Sequence, residues 1–163
     1  MLPSVRLTNC LIVMLVVFMM GVALYMEHGM GLEPCPLCIS QRIFVILAGV
    51  WALLAFLHHP GRIGRRVYGL LGLLSAAAGA AVSARQLWLQ SLPEDQVPAC
   101  GPGLDYMLDA FPLLDVLRAM LAGDGNCAEV SWSLFGISIP GWTLIGFLVL
   151  GLAHLWQVLR RRQ

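Results

Sequence analysis

The stretch TNCLIVMLVVFMMGVALYM, Thr8 to Met26, carries no charged side chain. At a helical rise of about 1.5 Å per residue it is long enough to cross a hydrocarbon core of about 30 Å. It belongs to a chain of 163 residues that is 59% hydrophobic and only 12% charged. A soluble domain is about half apolar and about a quarter charged, so much of this chain has lipid as its solvent. Three further apolar runs follow. Ile39 to Leu57 has Arg42 near its start, Val67 to Leu89 has Arg85 near its end, and Gly141 to Leu159 has no charge. The expected fold is all-α: a four-transmembrane-helix bundle with spans at 8–26, 39–57, 67–89 and 141–159, in a single domain covering 1–163. The first run exceeds the apolar core of a cleaved signal and no small-residue cleavage site follows it, so it is read as a span.

The charges orient the spans. Lysine is absent and every cation is an arginine. Arg6 precedes the first run; Arg62, Arg65 and Arg66 lie between the second and third; Arg160, Arg161 and Arg162 follow the fourth. The other two loops, 27–38 and 90–140, hold all nine Asp and Glu residues and only Arg118. By the positive-inside rule both termini are cytoplasmic and these two loops lie outside. Within the third run Gly72, Ser75, Ala76, Gly79, Ala80 and Ser83 recur at helical steps, a small-residue face that lets helix backbones approach closely. Trp88, Trp142, Tyr68 and Trp156 fall near the interfaces and read as anchors.

Four of the five cysteines lie in the outer loops or at their edges. Cys35-Pro36-Leu37-Cys38 is a C-x-x-C at the start of the second helix, where a helix N-terminus favours the reactive thiolate. Arg42 follows Cys38 by one helical turn, so the two share a face. A charge near membrane depth is costly and usually serves a site; here it is suited to hold negative charge on a sulfur or on a reduced acceptor. A zinc site joining Cys35 and Cys38 to Cys100 and Cys127 is disfavoured, because Cys100 and Cys127 form no second knuckle. Taken alone, Cys100 and Cys127 read as a structural disulfide in an oxidising compartment. Two cysteine pairs on one side of a membrane suggest more. Cys100 lies in a polar loop that a soluble protein reaches, Cys35 and Cys38 lie at the bilayer surface, and thiolate–disulfide exchange can join them.

In the long loop Leu113, Leu114, Val116, Leu117, Met120 and Leu121 recur at helical steps, marking a short amphipathic helix on the outer surface. Gly101, Pro102 and Gly103 disfavour a helix just after Cys100. Cys10 reads as a small buried residue, Arg85 as an arginine that snorkels to the headgroups, and His28, His58, His59 and His154 as interfacial or packing residues.

The ordered set resembles the bacterial disulfide bond formation protein B (DsbB) family. It comprises four spans, Cys35-Pro36-Leu37-Cys38 followed by Arg42, Cys100 in a long second loop, and Gly125-Asn126-Cys127-Ala128-Glu129. Trp132, Gly136 and Ile139-Pro140-Gly141-Trp142 at the start of the last span also fit. The resemblance implies a thiol:quinone oxidoreductase of the bacterial inner membrane. Such an enzyme reoxidises a periplasmic DsbA-like thioredoxin-fold protein and passes the electrons to ubiquinone or menaquinone. It also implies roles. Cys100 takes the mixed disulfide with the partner and Cys127 is its disulfide mate. Cys35 exchanges with that outer pair, while Cys38 faces the quinone as a thiolate beside Arg42. A DsbA-type partner is itself an oxidant at about −120 mV, so its electron sink must be more oxidising still. Neither a metal nor nucleic acid is implied, and the chain is expected to act as a monomer. One departure stands out. Where family members can carry a quinone-linked histidine, this chain reads Gln86-Leu87-Trp88-Leu89-Gln90-Ser91. Two rival functions are a thiol–quinone enzyme of the vitamin K epoxide reductase type and a disulfide-stapled, non-catalytic membrane scaffold.

Overall fold

Helix signals at the chain's Ser and Pro positions set the frame of the computed structural model, which describes residues 4–101 and 104–160. In chain order the elements are α1 (Val5–His28), α2 (Pro36–His58), α3 (Arg62–Gln90), α4 (Leu104–Ala110), α5 (Leu113–Ala122), a two-stranded hairpin of β1 (Ser133–Leu134) and β2 (Ile137–Ser138), and α6 (Ile139–Leu159). Among the described residues, four helices (α1, α2, α3 and α6) are long and apolar enough to cross a membrane. The chain is a multi-pass membrane protein, and each long helix contains one of the four apolar runs. Pro102, Gly103, Arg161 and Arg162, used above for a turn and for orientation, lie outside the described residues.

The helix ends follow from local chemistry. The Ser4 hydroxyl accepts the Leu7 N–H at 3.1 Å and caps α1. Pro36 and Pro140 occupy first-turn positions of α2 and α6, where a missing N–H costs nothing. His59 turns left-handed at φ 46° to end α2, and Pro60 blocks further helix.

The small face of α3 packs against α6. A Cβ placed on Gly72 would lie 2.1 Å from the His154 ring, and one on Gly79 would lie 2.1 Å from the Phe147 ring. Both rings are buried. Ser75 and Ser83 on the same face return their hydroxyls to the Leu71 and Gly79 carbonyls at 2.9 and 3.0 Å, so neither hydroxyl is left unpaired where water is absent. His154 is therefore a packing residue. The opposite, arginine-rich end of the bundle is tied by polar contacts: Gln157 donates to the Val5 carbonyl and to Asn9 Oδ1, both at 3.1 Å, and Arg65 donates to the Arg160 carbonyl at 2.8 Å. Leu11, Phe18, Leu57, Leu74 and Leu152 point outward, as a lipid-facing surface should. Cys10 is exposed on the same outer surface and is not the buried residue its composition suggested; one rotation of α1 puts Thr8, Asn9 and Ile12 inside and leaves Cys10 out.

The long loop is built rather than slack. The amphipathic reading of Leu113–Leu121 holds, with a division of labour: Val116 and Met120 pack inward with Met107 and Ile39, while Leu113, Leu114, Leu117 and Leu121 face out. Phe135 and Gly136 both have positive φ, as a tight two-residue hairpin turn demands. Replacing Gly79 with Ala forces a methyl into the Phe147 ring, and overpacking of this kind costs about 1–3 kcal/mol. The expected result is a lowered melting temperature in detergent, whereas Gly21→Ala, where no atom lies within 4 Å of the added carbon, should leave it unchanged.

Candidate redox site

The first turn of α2 assembles the site. Cys35 is the N-cap residue, and its sulfur accepts the Cys38 N–H at 3.4 Å. The two sulfurs are 3.0 Å apart, both as free thiols, so closing the C-x-x-C disulfide needs only a small movement.

Cys127, on a 3-10 turn after α5, is fully buried against Leu37 and Leu89. Its thiol is within hydrogen-bonding reach of Cys35. The Cys35 thiol hydrogen bond holds Cys127 below the ordinary thiol range, against the opposing cost of burial, and the backbone N–H groups of Asp124 and Leu37 add to the lowering. The reciprocal contact with Cys127, then that with Cys38 and burial, pushes Cys35 upward. Of the two, Cys127 is the one favoured as thiolate, the reactive form of a cysteine in exchange.

Cys100 is exposed. Its segment is held to the Cys127 turn by two hydrogen bonds: Gly125 N–H to the Ala99 carbonyl and Gly101 N–H to Asp124 Oδ2, each 3.3 Å. A Cβ on Gly125 would lie 2.6 Å from the Pro98 carbonyl oxygen and 3.0 Å from Cys100 Sγ, so glycine alone permits this approach. Three of the four predicted cysteines, Cys35, Cys38 and Cys127, therefore converge, with Cys100 one turn away at the surface. Among the described residues no group of three or more His, Cys, Asp or Glu side chains is placed to hold a metal ion.

On its other side Cys38 lines a cavity of about 130 Å³ between the long helices, together with Arg42. Met19, Met20, Val45 and Ile139 supply apolar walls, and Asn126, Glu129 and Trp132 from the long loop close the outer side. Arg42 shares the cavity with Cys38 as its spacing predicts. Its guanidinium is nonetheless committed to the Glu27 carboxylate and, at 3.3 Å, to the Ala23 carbonyl. The pairing draws Arg42 toward α1, where the sequence offered no obvious counter-ion.

Sequence reasoning also passed over two glutamines. Gln86 Nε2 lies 3.3 Å from Cys35 Sγ and 3.4 Å from Cys38 Sγ, and Gln41 Nε2 donates to Gln86 Oε1 at 2.7 Å. The one signal in the chain was Gln41 three residues after Cys38, one turn along the same face. Arg85 lies near the outer end of α3, with its side chain exposed. It stacks on Trp88 with its guanidinium carbon 4.3 Å from the ring centroid, and it donates to the Ala122 carbonyl at 3.4 Å, at the C-terminus of α5. Gly123 follows with φ +74°, where a Cβ would strike Leu37 and Leu89 at 2.7 and 2.8 Å.

Gly125→Val should move Cys100 off the Cys127 turn. Peptide mapping after mild oxidation should then find a slower Cys100–Cys127 disulfide and an unaltered Cys35–Cys38 disulfide; equal slowing of both would contradict this role for the glycine.

Comparison with known proteins returns one consistent result. The family model described as disulfide bond formation protein DsbB matches residues 5–157. Disulfide bond formation protein B of Saccharophagus degradans is 56% identical over 160 residues, 98% of this chain and 96% of its own length. That of Marinobacter nauticus is 58% identical over 143 residues, 88% of this chain and 85% of its own length.

Proposed function

We propose a disulfide-generating thiol oxidase, from the premise that this chain belongs to the disulfide bond formation protein DsbB family. In this reading the chain oxidises a periplasmic DsbA-like thioredoxin-fold protein and delivers the two electrons to a membrane quinone, ubiquinone or menaquinone. The observation that carries it is the position of Cys35, with Cys127 on its loop side and Cys38, which opens on the cavity, on its helix side. In this reading electrons pass from Cys100 at the surface through Cys127 and Cys35 to Cys38 at the cavity wall. Arginines Arg6, Arg62, Arg65, Arg66 and Arg160 at the far end of the bundle support cytoplasmic termini and periplasmic cysteines in a bacterial inner membrane.

The exchange chemistry balances along that path. A partner thiolate attacks Cys100 Sγ in a Cys100–Cys127 disulfide, and the electron pair of the broken bond leaves on Cys127. Cys127 then attacks Cys35 Sγ in the Cys35–Cys38 disulfide, and the pair leaves on Cys38, at the cavity wall. Burial of Cys127 beside Cys35 keeps water and stray thiols from that exchange. The cavity fits a quinone head group, with apolar walls and, from Arg42 and Gln41, N–H donors suited to carbonyl oxygens. A quinone held there supplies a sink for two electrons and two protons, so that one dithiol and one quinone give one disulfide and one quinol. Cys38 and Arg42 would hold it.

Purified protein given a reduced thioredoxin-fold partner and a short-chain quinone should reduce the quinone, and Cys38→Ser should abolish this. A disulfide-stapled scaffold predicts no reduction in either case. With wild type active, Arg42→Ala should raise the Michaelis constant for quinone by about tenfold, the worth of one modest charge-assisted contact, and leave exchange at Cys100 unaffected. Unaltered quinone kinetics would reduce Arg42 to an anchor for Glu27.

A further inference from the structure

Gln41 and Gln86 are each only 3% exposed, and both lie on membrane helices. A primary amide carries two donor hydrogens and an acceptor oxygen, and at this depth protein groups must satisfy them. Gln86 Oε1 takes the Gln41 N–H at 2.7 Å. Gln86 turns its nitrogen toward the sulfurs, 3.3 Å from Cys35 and 3.4 Å from Cys38, while its oxygen, which takes the Gln41 N–H, also accepts the Cys38 thiol at a longer 3.7 Å. The hydrogen-bond network, rather than the shape of the amide, decides this orientation. Cys38 Sγ also receives the Cys35 thiol at 3.0 Å. A sulfur met by two donors is a site for negative charge, because hydrogen bonds to the charged form favour it. The guanidinium one turn away donates its hydrogens to Glu27 and Ala23, so toward Cys38 it acts as a nearby positive charge and not as a hydrogen-bond donor.

We propose that Gln86 is a further catalytic residue of the thiol oxidase, its N–H stabilising the thiolate that develops on Cys38, and that Gln41 is the positioning residue that holds this amide nitrogen-first. This role rests on the function proposed above. In the step concerned, Cys127 thiolate attacks Cys35 Sγ. The bond between the sulfurs of Cys127 and Cys35 forms, the bond between those of Cys35 and Cys38 breaks, and its electron pair leaves on Cys38. Charge is conserved, and the step consumes no proton and no external oxidant. Gln86 reaches both sulfurs of the breaking bond and so accompanies the charge onto the leaving one. A neutral amide suits this position because it lowers the energy of the thiolate without offering an acidic proton that would quench it.

The test uses the full-length chain in lipid nanodiscs, without quinone or partner, equilibrated in mixtures of reduced and oxidised dithiothreitol. The fraction of Cys38 present as free thiol or thiolate is read by alkylation and mass spectrometry. Methionine keeps the shape of glutamine and removes its N–H, and a hydrogen bond to a charged group is worth enough to alter an equilibrium about tenfold or more. Gln86→Met should therefore move the Cys35–Cys38 equilibrium about tenfold toward the disulfide, equivalent to about 30 mV more reducing. The Cys38 alkylation rate at neutral pH should fall in parallel. Gln86→Glu should move it at least as far, because its carboxylate faces the thiolate with like charge. Gln41→Met should move it the same way by a smaller factor, because the Gln86 amide is then free to rotate. Wild-type equilibria in Gln86→Met and Gln41→Met together would overturn the proposal. If Gln86→Met fails to assemble, Gln41→Met decides alone. Loss of quinone reduction in the wild type would strike the proposed reaction and leave this readout standing; unmoved equilibria in variants of an active enzyme would strike Gln86 only.

Discussion

A helix that begins at a membrane surface has first-turn N–H groups with no partner inside the helix, and lipid offers none. In α2 sulfur takes up this duty. Cys35 caps the Cys38 N–H, and Cys127 from the long loop packs against Leu37 in the same first turn. The same contacts that complete the helix end bring Cys127 to Cys35 and lower the cost of its thiolate. Helix capping and the readiness of the thiols are one interaction here. That is why the long loop cannot be treated as a mere connection.

Helix α3 holds that helix end in place from two sides. The α3–α6 contact is close because Gly72 and Gly79 leave room for the His154 and Phe147 rings, and close packing of α3 determines where Gln86 sits relative to α2. From the outer side, Arg85 holds the C-terminus of α5 through the Ala122 carbonyl, and Gln90 accepts the Ser138 hydroxyl at 2.8 Å. Both arise from the last turns of α3. One helix thus positions the amide beside the sulfurs, the end of the amphipathic helix, and the hairpin leading into α6.

The cavity beside Cys38 shows how a charge is tolerated at this depth. Arg42 is paired with Glu27 and a backbone carbonyl rather than left bare, as the cost of an isolated charge in a membrane requires. A ligand reaching Arg42 has to share or displace that pairing, so affinity at the cavity is a difference between two polar contacts and not the gain of one.

The amino-acid sequence by itself determined the elements whose cause is local. Unbroken apolar runs set the four long helices, Pro36 after Cys35 set where α2 begins, and leucine periodicity set α5. The small residues of the third run announced a tight helix contact, because side-chain volume is a property of the residue alone. Family resemblance added an expectation of the cysteine roles. Only the tertiary structure decided which groups meet across the bundle. Cys127 rather than Cys100 lies beside Cys35, Gln86 reaches the sulfurs, Glu27 claims Arg42, and Cys10 turns outward. The first depends on how the long loop folds back over α2, and the other three on the rotation of one helix about its axis relative to another. That rotation is set by packing summed over whole helices, and no residue's neighbours in the chain encode it.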